Sequence, residues 1–308
     1  MAERLLVTGG AGFMGSNFVQ YLLSFSNEFE ITVLDALTYA GSISNLSKVA
    51  DRINFIHGDI RNVELVEDIC LNIDTIVNFA AETHNDNSLS GPDVFINTNI
   101  HGTYNLIQSA IKNNIRFHQI STDEVYGDMP INSKERFDET TPFKPSSPYS
   151  ASKAAADLLV KAWHRSFGLQ ATISHSSNNF GPNQFPEKFI PFSLRLVRDG
   201  KKMKIYGNGR NVRDWLYVED HSSAILSILK RGKIGESYNI SNEQLYNNLE
   251  VAEMINTAFN KPKDNFEFIE DRPGHDLQYA MSSEKIREQT GWEPKGPSLN
   301  QWLGSLNN

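Results

Sequence analysis

One cysteine in 308 residues leaves no internal disulfide to form. That residue, Cys70, sits in the apolar helical pattern Val66-Glu67-Asp68-Ile69-Cys70-Leu71, where a buried structural thiol is expected and no chemistry is assigned. No stretch of about 18 apolar residues occurs, which excludes a membrane-spanning helix. Met1-Ala2-Glu3-Arg4-Leu5 lacks the charged-then-apolar order of a secretory leader, so a cytoplasmic location is expected. Basic residues are also short, with 29 Lys and Arg against 37 Asp and Glu for a net charge of -8. Such a surface argues against nucleic acid or an anionic membrane as partner, and an anionic ligand would need local cations. None of the 8 histidines stands at metal-ligand spacing with cysteine or carboxylates, so no metal is expected. Repeats, low-complexity segments and linkers are missing as well.

What is present is enough apolar residue, 39% of the chain, for one large domain or two unequal ones. In the first half, short apolar runs alternate with longer amphipathic stretches, the pattern of βαβ units around a parallel sheet. Strands are expected at Arg4–Thr8, Ile31–Asp35, Ile53–His57, Thr75–Ala80, Phe117–Ser121 and Ala171–His175, with helices near 15–25, 63–71, 94–113 and 149–167. Past residue 176 the texture changes to Pro- and Gly-punctuated segments such as Gly181-Pro182 and Gly207-Asn208-Gly209, read as a smaller, loop-rich lobe. The fold class is therefore a doubly wound, Rossmann-type α/β sheet over 1–176, with a returning segment near 212–232, and a smaller C-terminal substrate-binding lobe over 177–308.

A glycine run, Gly9-Gly10-Ala11-Gly12-Phe13-Met14-Gly15, joins the first strand to the first helix. Gly9, Gly12 and Gly15 let backbone approach a pyrophosphate whose charge the helix N-terminus favours, and Phe13 and Met14 open that helix. Asp35, ending the second strand, can accept hydrogen bonds from ribose hydroxyls and would repel a 2′-phosphate, so NAD is favoured over NADP. Asp59 and Ile60 would suit the adenine, and Ala80 and Ala81 would pass beside the cofactor. Farther on, Pro148 suits a first helical position, and Tyr149 and Lys153, four apart, share one helix face. An ammonium there favours the phenolate, lowering the tyrosine pKa so that Tyr149 can take a proton from a sugar hydroxyl.

The glycine run together with Tyr149-Ser150-Ala151-Ser152-Lys153 resembles the extended short-chain dehydrogenase/reductase family. The resemblance implies that Tyr149 is the redox base, that Lys153 holds the nicotinamide ribose, and that Thr122 completes a triad. Asp123 and Glu124 follow Thr122, and eliminating water needs one group to remove a carbon-bound proton and another to protonate the leaving hydroxyl. Ser121-Thr122-Asp123-Glu124-Val125-Tyr126-Gly127 is similar to the signature of the dTDP-glucose 4,6-dehydratases within that family. What this implies is hydro-lyase chemistry on dTDP-glucose, with NAD regenerated each cycle.

By the same resemblance Thr83, His84, Asn178, Lys188, Arg213 and Arg272 belong to the substrate side, Asn248 and His275 are weaker candidates there, and Asn179 belongs to the cofactor side. A homodimer is implied too, with the helices near 94–113 and 149–167 forming an intersubunit bundle. Periodicity alone equally allows those helices to pack within one subunit. Asn87 stands where many relatives carry arginine, which leaves fine substrate preference open. Two alternatives remain: a UDP-sugar 4-epimerase or decarboxylase, which has no need of Asp123 as an acid, and a non-catalytic NAD-binding protein.

Overall fold

The computed structural model describes residues 2–25, 27–271 and 273–306. Leu5, Leu6 and Val7 have no side chain tolerant of water on either face, so β1 (Glu3–Thr8) is buried from Leu5 onward, as a central parallel strand must be. From it the chain runs α1 (Phe13–Phe25), β2 (Phe29–Asp35), β3 (Ile53–His57), α2 (Val63–Cys70), β4 (Thr75–Asn78), α3 (Asn85–Ser90), α4 (Pro92–Phe95) and α5 (Thr103–Lys112). Next come β5 (Arg116–Thr122), α6 (Pro148–Phe167), β6 (Ala171–Ser176), β7 (Asn178–Phe180), α7 (Phe189–Arg198), β8 (Met203–Tyr206), β9 (Val212–Tyr217) and α8 (Val218–Arg231). The last elements are β10 (Ser237–Ile240), β11 (Leu245–Asn247), α9 (Asn248–Ala258), β12 (Phe266–Ile269), α10 (Glu284–Thr290) and α11 (Leu299–Ser305).

Seven strands form one parallel sheet in the order β3-β2-β1-β4-β5-β6-β10. Strand order reverses between β1 and β4, the place where such sheets bind ligands at their carboxyl ends. One face packs on α1 and α8 through Phe18, Leu22, Ile225 and Ile228. On the other face Ile76 and Phe117 meet Leu106, Ile107 and Val160. Cys70 lies in that second layer, and burial pushes its thiol up to about 11, in keeping with an inert core residue. A third cluster, with Phe180, Leu194, Trp215 and Val251, fills the lobe built on the small sheet β11-β9-β7.

Several sequence expectations need correction. The strand expected to reach Ala80 leaves the ladder after Asn78, because the chain must turn there to pass along the sheet edge. The helix expected over 94–113 is interrupted by a wide π turn at Ile96–Gly102, whose register places the Asn99 side chain inward on both backbone groups of Glu82. Beyond residue 176 the chain is richer in helices than its punctuation implies, since Pro191 falls in the first turn of α7, where a proline is tolerated. Val218–Ile240 returns to the large sheet, α8 packing against α1 and β10 pairing with β6, whereas β9 belongs to the small sheet.

Candidate active site

The carboxyl ends of the parallel strands border a cleft of about 360 Å³, within the range of small-molecule sites. Its floor is the turn from β1 into α1. Gly9 has φ +66°, and a Cβ there would lie 2.7 Å from the Ala80 nitrogen. A Cβ on Gly15 would lie 2.4 Å from the Gly9 carbonyl oxygen, so these two glycines let helix, turn and strand pack together. Gly12 differs: its Cβ would meet only the Gly9 oxygen at 3.2 Å, so the space it leaves opens to the cleft rather than to protein. The first turn of α1 carries no acidic residue, which keeps its N-terminus fit for an anion.

Phe13 and Met14 line this floor, and Ala80 and Ala81 its far side. Asp35 is nearly buried at the end of β2, its carboxylate taking the Ala11 and Leu37 amides at 2.8 Å each. Those bonds hold the carboxylate at the cleft edge, where it fits a ribose and opposes a phosphate. Asp59 and Ile60 also line the cleft. Burial acts to raise Asp59, but Arg61, bonded to it at 2.6 Å, holds its carboxyl below the usual range.

The reactive wall is made by β5 and α6. At the end of β5 the Thr122 hydroxyl lies 3.2 Å from Asp123 and caps the following 3-10 turn by accepting the Glu124 amide at 3.3 Å. That turn brings both carboxylates to the cleft instead of opposite faces of a pleat. Asp123 is buried, and desolvation together with the adjacent Glu124 lifts its carboxyl well above the normal range against the pull of Arg213. Glu124 is instead half-buried and accepts a 2.9 Å hydrogen bond from Asn85. Burial thus marks Asp123 as the candidate acid of the pair and leaves Glu124 as the candidate base.

Pro148 opens α6, and a capping box between Ser147 and Ser150 fixes its first turn. Tyr149 is buried beside Thr122. The expectation that Lys153 lowers this phenol is overturned in the arrangement seen: burial, then the Glu124 carboxylate, push Tyr149 well above its ordinary value. Lys153 instead turns its ammonium to the Ile120 carbonyl at 2.7 Å, and burial draws it down to about 8.

Of the residues expected on the substrate side, Thr83, Asn178 and Lys188 line the cleft, as does Asn179, expected on the cofactor side. His84, Arg213, Asn248 and His275 do not. His84 caps α3 by accepting the Asn87 amide, Asn248 begins α9, and His275 bonds Asp271 at 2.6 Å. Arg213 is buried below Asp123, held by the carbonyls of Val212, Leu277 and Asp276 and stacked 4.2 Å above the Tyr279 ring. Arg272 lies outside the described residues. Sequence reasoning passed over Asn85, which holds Glu124 and also accepts the Ser147 hydroxyl at 2.9 Å. It also passed over Tyr39 and Phe185, which meet edge to face at the cleft with ring centroids 5.6 Å apart. Their signal was an Asn opening a short helix and two aromatics in loops, which have no period to betray a role.

A doubly wound sheet with a glycine turn and a Thr-Tyr-Lys wall defines a protein of the short-chain dehydrogenase/reductase type. More narrowly, the GDP-mannose 4,6 dehydratase family matches residues 6–301, and the chain belongs to that family. It is 51% identical to a dTDP-glucose 4,6-dehydratase of Mycolicibacterium smegmatis, over 95% of this chain and 88% of the relative. A solved dTDP-glucose 4,6-dehydratase from Streptomyces venezuelae, with NAD bound, superposes with a TM-score of 0.94 at 39% identity, covering 99% of this chain and 96% of that one. UDP-glucose 4-epimerase of Thermus thermophilus, in complex with NAD, gives 0.89 at 29% identity over 99% and 98% of the two chains. The backbone is thus common to dehydratases and epimerases, and the side chains at the cleft must separate them.

Proposed function

We propose that the protein is a dTDP-glucose 4,6-dehydratase, a hydro-lyase that converts dTDP-glucose to dTDP-4-keto-6-deoxyglucose and water. The observation that carries this reading is the pair Asp123 and Glu124: a buried carboxyl whose pKa is raised and a half-buried carboxyl hydrogen-bonded by Asn85, adjacent in the chain and both at the cleft. An epimerase on the same backbone needs no such acid.

Gly9, Gly12, Gly15, Asp35 and the α1 N-terminus fit NAD, with Asp59, Ile60, Ala80, Ala81 and Asn179 along its length. NAD, when bound, would supply the hydride acceptor for C4 and later the hydride donor for C6, and its positive ring would favour a Tyr149 phenolate against burial and the nearby carboxyls. Lys153 holds the nicotinamide ribose and is the protein's own cation in this wall. Tyr149 takes the C4 hydroxyl proton, with Thr122 holding the same oxygen in place. The 4-keto group acidifies C5. Glu124 removes the C5 proton while Asp123 protonates the departing C6 hydroxyl, which leaves as water, and Glu124 returns its proton to C5. Solvent exchange then moves the proton held on Tyr149 back to Asp123.

Lys188, Thr83 and Asn178 hold the sugar nucleotide, with Arg272 assigned to its diphosphate by the resemblance, whereas Arg213, buried on backbone carbonyls, is not placed to reach it. Thymidine as the base rests on the named relatives. Exposed Tyr104 on α5 and Leu158 and Phe167 on α6 support pairing of two copies through these helices as a homodimer. No helix among the described residues is long and apolar enough to cross a membrane, and a cytoplasmic location agrees with the substrate and cofactor assigned. Mass spectrometry of dTDP-glucose incubated with purified protein tests the reading. A product lighter by one water supports it, and galactose at unchanged mass assigns epimerisation instead.

A further inference from the structure

Asp157 lies one helical turn beyond Lys153 on α6 and is sealed from solvent. Packing does not ask for a carboxylate there, since a small apolar residue would fill a helix face without the desolvation penalty. Its Oδ2 accepts the Ser121 hydroxyl at 2.6 Å and has a His175 ring nitrogen 3.2 Å away. Ser121 directly precedes Thr122 on β5. His175 stands on β6, its other ring nitrogen 3.0 Å from the Tyr126 hydroxyl, which donates to Asn239 at 2.8 Å. Oδ1, by contrast, is buried without a hydrogen-bond donor among the described residues. Half of this carboxylate is compensated only by charge.

The titratable groups that face it are Lys153 and Lys161 from its own helix, His175 from β6, and Tyr126 from the turn after β5. Lys161 is part-exposed, with its ammonium 4.6 Å from the centre of the Phe143 ring. Lys153 is the buried one, and its ammonium bonds only the Ile120 carbonyl among the described residues. Burial pulls that ammonium down, and Asp157 is the group that draws it back up. Among the described residues no other carboxylate opposes the desolvation of Lys153.

We propose that Asp157 is a positioning residue for the reaction: its charge keeps the Lys153 ammonium in the cofactor cleft, and its bond to Ser121 locks the β5 end that carries Thr122 and Asp123. The inference rests on the proposed function only in assigning Lys153 to the cofactor. Two variants separate its parts. Asp157→Asn removes the charge and keeps the shape, while Ser121→Ala removes a hydrogen bond and keeps the charge.

The test is NAD binding to the purified full chain freed of nucleotide, read by tryptophan fluorescence from mildly acidic to alkaline pH. In the unaltered protein, affinity falls as Lys153 loses its proton. Asp157→Asn should move that fall to lower pH by about one unit, and Ser121→Ala should leave its midpoint in place. An unmoved midpoint in Asp157→Asn overturns the proposal. If Asp157→Asn does not accumulate folded protein, the double variant Lys153→Met/Asp157→Asn decides. Recovered folding shows that the carboxylate answers the ammonium, and an equally unstable double variant assigns Asp157 a purely structural role. If the unaltered chain binds NAD but leaves dTDP-glucose intact, the substrate assignment fails while this inference is still tested. If it binds no NAD, thermal melting of the single and double variants replaces the titration.

Discussion

At the residue scale, the proposed reaction divides into separable proton transfers assigned to Tyr149, Asp123 and Glu124. Tyr149→Phe should lower turnover by about 10²–10⁴-fold, the ordinary worth of a positioned acid or base, while the glycine turn still binds NAD. Turnover measured beside an NAD titration checks this. Asp123→Asn should slow water loss by a similar factor yet leave C4 oxidation in place, so reduced cofactor accumulates after substrate is added. Absorbance of the reduced nicotinamide reads that outcome, and an absence of accumulation would remove Asp123 from the acid role. Because Asp123 must be protonated to act, and burial beside Glu124 raises its pKa, dehydration should decline as pH rises through that raised value.

That these residues share one cleft was legible in the sequence because the proposed chemistry demands particular types at fixed offsets. Asn85 was not. Its bonds to Glu124 and Ser147 cross from a short helix to two other elements, and no local pattern encodes such a contact. The effect of Lys153 on Tyr149 was misjudged for a related reason. Spacing places two side chains on one face, but the Ile120 carbonyl that captures the ammonium comes from a neighbouring strand.

Among the elements, the glycine turn gives the sharpest separation of folding from binding. Gly9 and Gly15 are required by the protein itself, whereas a methyl group on Gly12 would press only on the Gly9 oxygen at 3.2 Å. Gly12→Ala should therefore change stability without ligand by no more than about 1 kcal/mol and weaken NAD binding by roughly tenfold or more, about 1.4 kcal/mol. Thermal melting with and without NAD distinguishes the two effects. Gly15→Ala should instead destabilise the chain in both conditions. The turn was readable because strand, glycines and helix follow one another directly. The π turn at Ile96–Gly102 was not, since apolar periodicity continues through it and only the inward Asn99 requires the wider register.

For the whole molecule, the parallel sheet was legible from its alternating runs, but the return of α8 and β10 to that sheet was only partly so. Which sheet a short strand joins is decided by long-range packing, here α8 on α1, rather than by its own residues. The fold also buries titratable groups whose effects on acid stability oppose one another. His118 and His221 are buried, and desolvation lowers each to about 3. Between about 6.5 and that value the unfolded chain binds more protons, so their contribution to stability falls with pH. Asp214 is raised by burial to about 6, so the folded chain binds the extra proton below that pH and its penalty is relieved. His118→Asn should thus make melting less sensitive to acid, by about 1 kcal/mol per pH unit below 6.5, and Asp214→Asn should make it more sensitive. Melting temperatures of the two variants across mildly acidic pH give both signs.

The central claim is that hydrogen taken from C4 is returned to C6 within one active site. Its direct test is incubation of dTDP-glucose deuterated at C4 with the purified protein, followed by mass spectrometry and location of the label. The account predicts loss of water with deuterium retained at C6. Deuterium remaining at C4 of a sugar of unchanged mass, or a dehydrated product with the label lost to solvent, would contradict it.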